Sequence, residues 1–257
     1  MSVTPKKALG QHFLVDENIL GVIGRLATLR DDDVVLEVGP GLGVLTRYLA
    51  DRVATVHAVE LDRSLAEPLE SALEGRSNVR LTFGDALAVD LSSLEPQPTK
   101  LVANLPYSIA TPLVVESLDG MPSLERWCVM VQREVADRFF ASPRTKAYGA
   151  VSVLVQLATR KVGFHAVPPT VFRPRPRVES ALVAFERVHG PVLAEVRPVV
   201  DAAFAHRRKT LANSLSLSGL TTRTAAETAL GEIGKPPQAR AEELAPTEFV
   251  AIAVALR

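Results

Sequence analysis

Val34-Val35-Leu36-Glu37-Val38-Gly39-Pro40-Gly41-Leu42-Gly43-Val44-Leu45-Thr46-Arg47-Tyr48-Leu49-Ala50 changes its period halfway along. The first five residues are a short apolar run of the kind that a strand buried on both faces shows, and the last seven carry apolar side chains at helical spacing. Three glycines and a proline separate them, which marks a turn. The stretch therefore predicts strand, glycine turn, helix, with a backbone that a ligand can approach closely at a helix start. A dinucleotide-binding turn would place its third glycine at 44, where this chain has Val44, so the spacing is E-x-G-x-G-x-G rather than G-x-G-x-x-G.

The alternation continues outward. Strands are predicted over 54–59, 79–83, 100–103, 127–131, 162–167 and 181–185. Helices are predicted over 64–73, 111–118, 134–140 and 151–158. Such alternation predicts an α/β fold, a doubly wound, mostly parallel sheet with helices on both faces and ligands at the strand carboxyl ends. Beyond Pro191 the pattern turns helical, with helices expected over 196–217, 224–233 and 246–256. The expected organisation is one domain over 1–189 and a small all-helical domain over 190–257. No internal repeat or low-complexity tract interrupts either part.

With 257 residues, 47% of them hydrophobic, the chain is long enough to bury a full core. A single cysteine, Cys128, lies in the apolar run 127–131, which excludes a disulfide framework, argues against a metal site and points to a packing role. Met1 to Gly10 carries no apolar segment of signal-peptide type, and no run of about 18 apolar residues occurs, so a cytoplasmic address is expected. The zero net charge hides an asymmetry: residues 1–137 hold 12 Lys/Arg against 20 Asp/Glu, net −8, and residues 138–257 hold 17 against 9, net +8. Between Asp137 and Glu179 there is no acid, while Arg144, Lys146, Arg173, Arg175 and Arg177 all fall there. Arg207, Arg208 and Lys209 lie in a second acid-free stretch. Clustered cations of this kind gain from counterion release on a polyanion, so these eight residues are candidate polyanion contacts.

Acids recur at successive predicted strand ends. Glu37 closes the first strand, Glu60 closes the second, where a carboxylate can accept ribose hydroxyl hydrogens, and Asp85 follows the third, where it can accept from an adenine amino group. With the glycine turn they match the S-adenosylmethionine site of doubly wound methyltransferases. After the fourth strand comes Asn104-Leu105-Pro106-Tyr107. Pro106 supplies no N–H and biases Leu105 towards an extended conformation, leaving carbonyls free to face a ligand. Asn104 adds an amide oxygen and Tyr107 a ring on which a flipped base could stack. This grouping suits a planar amine held for alkylation.

Together with Lys7-Ala8-Leu9-Gly10-Gln11-His12-Phe13-Leu14, Lys146-Ala147-Tyr148-Gly149, Val171 to Ser180 and Phe204 to Ser214, these motifs resemble, in order along most of the chain, the KsgA-type ribosomal RNA adenine dimethyltransferases. The resemblance implies a Rossmann-like class I methyltransferase fold with a helical C-terminal domain and S-adenosylmethionine as donor. It also implies dimethylation of two adjacent adenines near the 3′ end of 16S ribosomal RNA, within the small ribosomal subunit, by a monomer that binds no membrane. Carried over by position, it implies a donor pocket of His12, Leu14, Glu37, Gly39, Gly41, Glu60, Asp85 and Asn104. On the acceptor side it implies Asn104, Leu105, Pro106, Tyr107 and Phe172. Phe172 would close the second face of the adenine, or else anchor its proline-bounded loop from within. Three alternatives stay open: a 23S ribosomal RNA adenine methyltransferase of the antibiotic-resistance type, a largely non-catalytic small-subunit assembly factor, and a nicotinamide-dependent oxidoreductase, which Val44 disfavours.

Overall fold

The computed structural model of the protein describes residues 6, 11–190 and 192–257, so Lys7 to Gly10 of the N-terminal motif lie outside the described residues. In chain order the elements are β1 (Phe13–Leu14), α1 (Glu17–Ala27), β2 (Val34–Val38), α2 (Val44–Ala50), β3 (Thr55–Glu60), α3 (Ala66–Ala72), β4 (Val79–Phe83), β5 (Lys100–Asn104), α4 (Ala110–Gly120), β6 (Arg126–Gln132), α5 (Arg133–Phe139), α6 (Ala150–Ala158), β7 (Thr159–Val167), β8 (Phe172–Arg173), β9 (Ser180–Arg187), α7 (Leu193–Ala205), α8 (Leu211–Leu217), α9 (Arg223–Glu232) and α10 (Pro246–Ala255).

Seven strands form one sheet in the order β4-β3-β2-β5-β6-β9-β7. β2 to β6 pair in parallel and β9 runs antiparallel to β6. Every residue of β2 is buried, as a strand covered on both faces requires. The chain order reverses between β2 and β5, and a crevice outside the strand ends is expected at such a reversal. Register aligns the strand ends: Val38 pairs with Val59, Glu60 with Phe83, Asn104 with Met130, and Gln132 with Ser180.

The helix α1 was not expected from the sequence. Asp16 caps it by accepting from the Asn18 N–H at 2.9 Å, and Thr28 ends it in the left-handed region. Its buried face, Ile19, Leu20, Ile23 and Ala27, joins a cluster with Val35, Val102, Cys128 and Leu182. Cys128 is wholly buried there, as expected, and burial pushes its thiol up to about 12.

Contacts group the chain into two units: residues up to Ala136 with Lys161–Arg187, and Asp137–Arg160 with Val188–Arg257. Segment 137–160, expected to belong with the sheet, thus groups with the C-terminal helices. Within this second unit Tyr148 is fully buried, donates to the Leu244 carbonyl at 2.7 Å and meets Phe204 edge-on. The single helix expected over 196–217 is two, α7 and α8. Thr210 accepts from the Asn213 N–H and starts α8 afresh, so Arg207, Arg208 and Lys209 fall in an exposed loop. Among the described residues, no helix is long and apolar enough to cross a membrane.

Lys100, at the start of β5, is buried and bonded to Asp33 Oδ2 and to the Thr28 carbonyl, each at 2.6 Å. It fastens the end of α1 to the strands on either side of the crevice. Removing one partner of a buried pair strands the other charge, so Lys100→Met is expected to cost about 3 to 5 kcal/mol, measured by urea unfolding. Lys100→Met with Asp33→Leu is expected to recover part of that loss.

Candidate active site: a cleft at the strand ends

One cleft receives the carboxyl ends of β2, β3, β4 and β5 and the segment before α1. Glu37, Gly39 and Gly41 from the turn, Glu60 from β3, Asp85 after β4, and Asn104 to Tyr107 after β5 all line it, as do His12 and Leu14. The sequence-predicted donor and acceptor residues therefore meet in one place, with the exception of Phe172.

The glycine turn is shaped by close approach. Gly39, Gly41 and Gly43 all have positive φ, which L side chains rarely adopt. A Cβ on Gly39 would lie 3.1 Å from the Pro106 ring, and one on Gly41 would lie 2.9 Å from the Phe13 ring. The turn is thus pressed between the acceptor loop and the N-terminal segment, and its backbone forms the cleft floor.

The acids differ in what holds them. Glu60 Oε2 accepts from the Gly41 N–H at 3.0 Å and Oε1 from the Asp62 N–H at 2.9 Å. Each oxygen keeps a second lone pair for a ligand. Burial raises the pKa of Glu60, and the two amides oppose the shift. Glu37 is more extreme. It is buried, its Oε2 has no hydrogen-bond partner, and Thr46 Oγ1 beside it has none either. Burial pushes its carboxyl up to about 8, and the charge of Glu60 reinforces the shift. Asp85 is exposed; one oxygen accepts from the Leu87 N–H at 2.9 Å and the other is left for a ligand.

On the acceptor side, Leu105 N–H donates to the Met130 carbonyl at 3.0 Å, and Pro106 O accepts from the Ala110 N–H at the start of α4. Asn104 Nδ2 donates to the His12 carbonyl at 3.1 Å, which leaves its oxygen free to face the cleft. Tyr107 Oη lies 2.8 Å from Ser180 Oγ, brought there by the β6–β9 register, and burial raises the phenol pKa.

Phe172 does not present the stacking face expected of it. Its ring is fully buried in the apolar cluster, and its backbone pairs with Leu14, so it stands behind the cleft wall as the anchor of its loop. Arg173, Arg175 and Arg177 on that loop are exposed. In the second unit Arg144, Lys146, Arg207, Arg208 and Lys209 are exposed too, and the Arg207 guanidinium lies 3.5 Å from the Lys146 carbonyl and 3.4 Å from that of Tyr148. Sequence reasoning missed Phe13, Leu61 and Ile109 as cleft residues. It also missed Asp62, which accepts from Lys6 Nζ, Gln11 Nε2 and Ser64 and so ties the segment before the cleft to β3. Leu61, an apolar residue next to a strand-end acid, and Phe13, between His12 and Leu14 in the N-terminal motif, each had a signal; Ile109 had none.

The chain matches, over residues 3–253, the family described as Ribosomal RNA adenine dimethylase. It is 49% identical over 250 residues, 96% of this chain and 94% of the relative, to the Ribosomal RNA small subunit methyltransferase A of Rubrobacter xylanophilus. Among solved structures it is similar to a dimethyladenosine transferase from Plasmodium falciparum, with a TM-score of 0.78 and 23% identity over 94% of this chain and 96% of that one. It is also similar to the 23S rRNA methyltransferase ErmE, with a TM-score of 0.69 and 29% identity over 95% and 99% of the two chains.

The Glu37 carboxyl gives the site a pH signature. Its folded-state value lies near 8 against an ordinary 4.5, so the native protein holds an extra proton between those values. That contribution to stability is fully present below about 4.5 and is lost as the pH rises through about 8. Between pH 5 and pH 8.5 the unfolding temperature of the wild type is expected to fall by several degrees relative to Glu37→Gln, since each pKa unit corresponds to about 1.4 kcal/mol. Glu60 is present in both proteins and largely cancels in the difference.

Proposed function

Because the chain belongs to the ribosomal RNA adenine dimethylase family, we propose that it methylates, twice each, the exocyclic amines of two adjacent adenines near the 3′ end of 16S ribosomal RNA in the small ribosomal subunit. The fold is that of a Rossmann-like methyltransferase, the activity is S-adenosylmethionine-dependent methyl transfer and the substrate is ribosomal RNA. The observation that carries the finer reading is the meeting of the acid-lined glycine turn with Asn104-Leu105-Pro106-Tyr107 in one cleft. Small subunits mature in the cytoplasm, which sets the expected location.

The cleft fits the donor on two counts. The positive-φ glycines bring main chain to the cleft lining, and the orphaned Glu37 oxygen offers a buried acceptor to a cation. S-adenosylmethionine supplies an electrophilic methyl carbon on a sulfonium. Glu60 accepts ribose hydroxyls on its remaining lone pairs, and Asp85 accepts from the adenine amino group of the donor.

The amine of the target adenine is a weak nucleophile because its lone pair is delocalised into the ring. In the first transfer Asn104 Oδ1 and the Leu105 carbonyl each accept one amine hydrogen, favouring a pyramidal nitrogen whose lone pair faces the donor; in the second, the one remaining hydrogen is held by one of the two acceptors. Orientation of this kind contributes roughly 7 to 11 kcal/mol in well-aligned model systems. Tyr107 offers its ring to the splayed base, whose extrusion costs a few kcal/mol. The methylated amine is a strong enough acid to lose its proton to water, so the motif needs no general base.

The small-subunit reading is favoured over the 23S reading by sequence: the relative named for the small subunit is 49% identical, and the 23S methyltransferase 29%. Mapping methylated adenines in both subunits after incubation with enzyme and donor tests it, and dimethyladenines confined to 16S RNA are expected. Asn104→Ala is expected to lower the rate by about 100-fold or more while changing donor affinity far less, since misorientation alone costs that much. Equal losses in both quantities would count against the orienting role.

We assign the contact with RNA phosphates to the arginine–proline loop in the first unit and, in the second, to the loop carrying Arg207, Arg208 and Lys209. Arg207 also braces the segment at Lys146 and Tyr148, so Arg208 and Lys209 are the cleaner pair to neutralise. Changing both to Gln is expected to reduce the slope of log K against log salt for small-subunit binding by about 1 to 2, with donor binding intact.

A further inference from the structure

His12 joins parts of the cleft that the reaction uses separately. Its Nδ1 lies 2.7 Å from the Pro174 carbonyl, inside the arginine–proline loop. A carbonyl only accepts, so Nδ1 carries the hydrogen and donates it. The main-chain oxygen of His12 accepts from Asn104 Nδ2 at 3.1 Å, which decides that the oxygen end of that amide is the one left for a ligand. The imidazole ring lies 5.6 Å from the Tyr107 ring, tilted by 33°, and the far end of Tyr107 is held by Ser180.

The seam around it is short. β1 and β8 pair only as Phe13 with Arg173 and Leu14 with Phe172, extended by the Val15 N–H on the Val171 carbonyl at 2.9 Å. The imidazole hydrogen bond is the next fastening along that seam, and it reaches the residue between exposed Arg173 and exposed Arg175. A residue that merely lined a donor pocket would need one surface on the cleft. His12 instead commits a ring nitrogen to the loop, a ring face to Tyr107 and a carbonyl to Asn104.

We propose that His12 is a positioning residue that couples the loop 173–177 to the adenine-holding pair Asn104 and Tyr107, so that RNA bound along the loop sets the acceptor end of the cleft. This rests on the reading of the cleft as a ribosomal RNA adenine methylation site. A phosphate held by Arg173 or Arg175 fixes Pro174. The Pro174 carbonyl then fixes the imidazole, and the imidazole fixes the tyrosine ring against which the base is placed. Displacements of about 1 Å in such a chain are enough to change rate by about 100-fold.

The test compares wild type, His12→Ala, His12→Phe, Arg175→Gln and the His12→Phe/Arg175→Gln double variant. Donor Kd is read by calorimetry, folding by thermal unfolding, and kcat and KM by methylation of small subunits. With donor saturating, His12→Ala is expected to lower kcat about 10- to 100-fold, beyond any change in donor Kd that follows from its place in the cleft lining. His12→Phe keeps a ring beside Tyr107 but cannot donate to Pro174; it is also expected to lower kcat, and it carries the test should the alanine variant fail to fold. In the wild-type background Arg175→Gln is expected to lower kcat and raise KM. In the His12→Phe background it is expected to raise KM alone, because the link is already cut. Losses in kcat that multiply independently in the double variant overturn the coupling, and a kcat that saturating donor restores in full leaves His12 a donor-pocket residue alone. A wild type that methylates adenine in neither subunit overturns the parent reading as well, and is told apart because it leaves no rate for the variants to lose.

Discussion

The approach of Gly39 to Pro106 is the contact on which the cleft depends. β2 and β5 are neighbours in the sheet, and the chain reverses its strand order between them, so the turn after one and the loop after the other leave in opposite directions from adjacent ends. They still pass so closely that a Cβ on Gly39 would sit 3.1 Å from the proline ring. Glycine in the left-handed region satisfies one side, and a proline that needs no N–H partner satisfies the other. The donor floor and the acceptor carbonyls are thereby held a fixed distance apart by packing. A larger residue at 39 would strain the turn and wedge the two halves of the reaction away from each other.

Charge within this space is divided rather than summed. Three carboxyls, Glu37, Glu60 and Asp62, lie at the ends of two adjacent strands, an arrangement that would repel itself if all were equally ionised in a buried site. Burial acts to raise Asp62, but Lys6, Ser64 and Gln11 outweigh it and hold that carboxyl well below its usual range. Glu60, bonded to two amides, is raised by burial less than it would be alone, whereas Glu37, with an orphaned oxygen, is pushed up to about 8. The most buried acid is therefore the one whose carboxyl is held neutral near pH 7, while Lys6, Ser64 and Gln11 compensate Asp62 and backbone amides partly compensate Glu60.

The strands and turns that build the cleft were legible because their residues serve one purpose each. The apolar run 34–38, the glycine turn and the helix 44–50 read correctly to their ends, and so did 79–83, since period and punctuation agree there. Legibility failed where tertiary contact decides. α1 is the exception, legible but passed over: Asp16 caps it, and its apolar stripe at 19, 20, 23 and 27 recurs at helical spacing with Gly21, Gly24 and Arg25 off that face. The break between α7 and α8 rests on one threonine accepting a backbone bond, against a continuous helical pattern on either side. The sequence left Phe172 open between a stacking face and a buried loop anchor, and the pairing of β8 with β1, with the ring buried, decides for the anchor. The Gly41 contact with Phe13 joins residues with no shared local pattern, so no reading of either segment alone could have found it.

Opposite charges are segregated along a chain whose total is zero, and the proposed reading gives the two signs different tasks. A cationic donor calls for buried acids at strand ends, while a polyanionic acceptor calls for exposed cations on stiff loops. The arginines at 173, 175 and 177 alternate with prolines, so little backbone freedom is lost when they meet phosphates, and their fork geometry suits bidentate contact. This loop shares a unit with the cleft and is bonded to its lining through His12, so on the proposed reading the basic contact nearest the cleft belongs to the same unit. The unwound turn at 206–210 gives the helical unit a separate set of exposed cations, which a continuous helix would have distributed around its circumference. Breaking that helix gathers three charges on one loop, and gathering rather than number is what raises the local field that a polyanion feels.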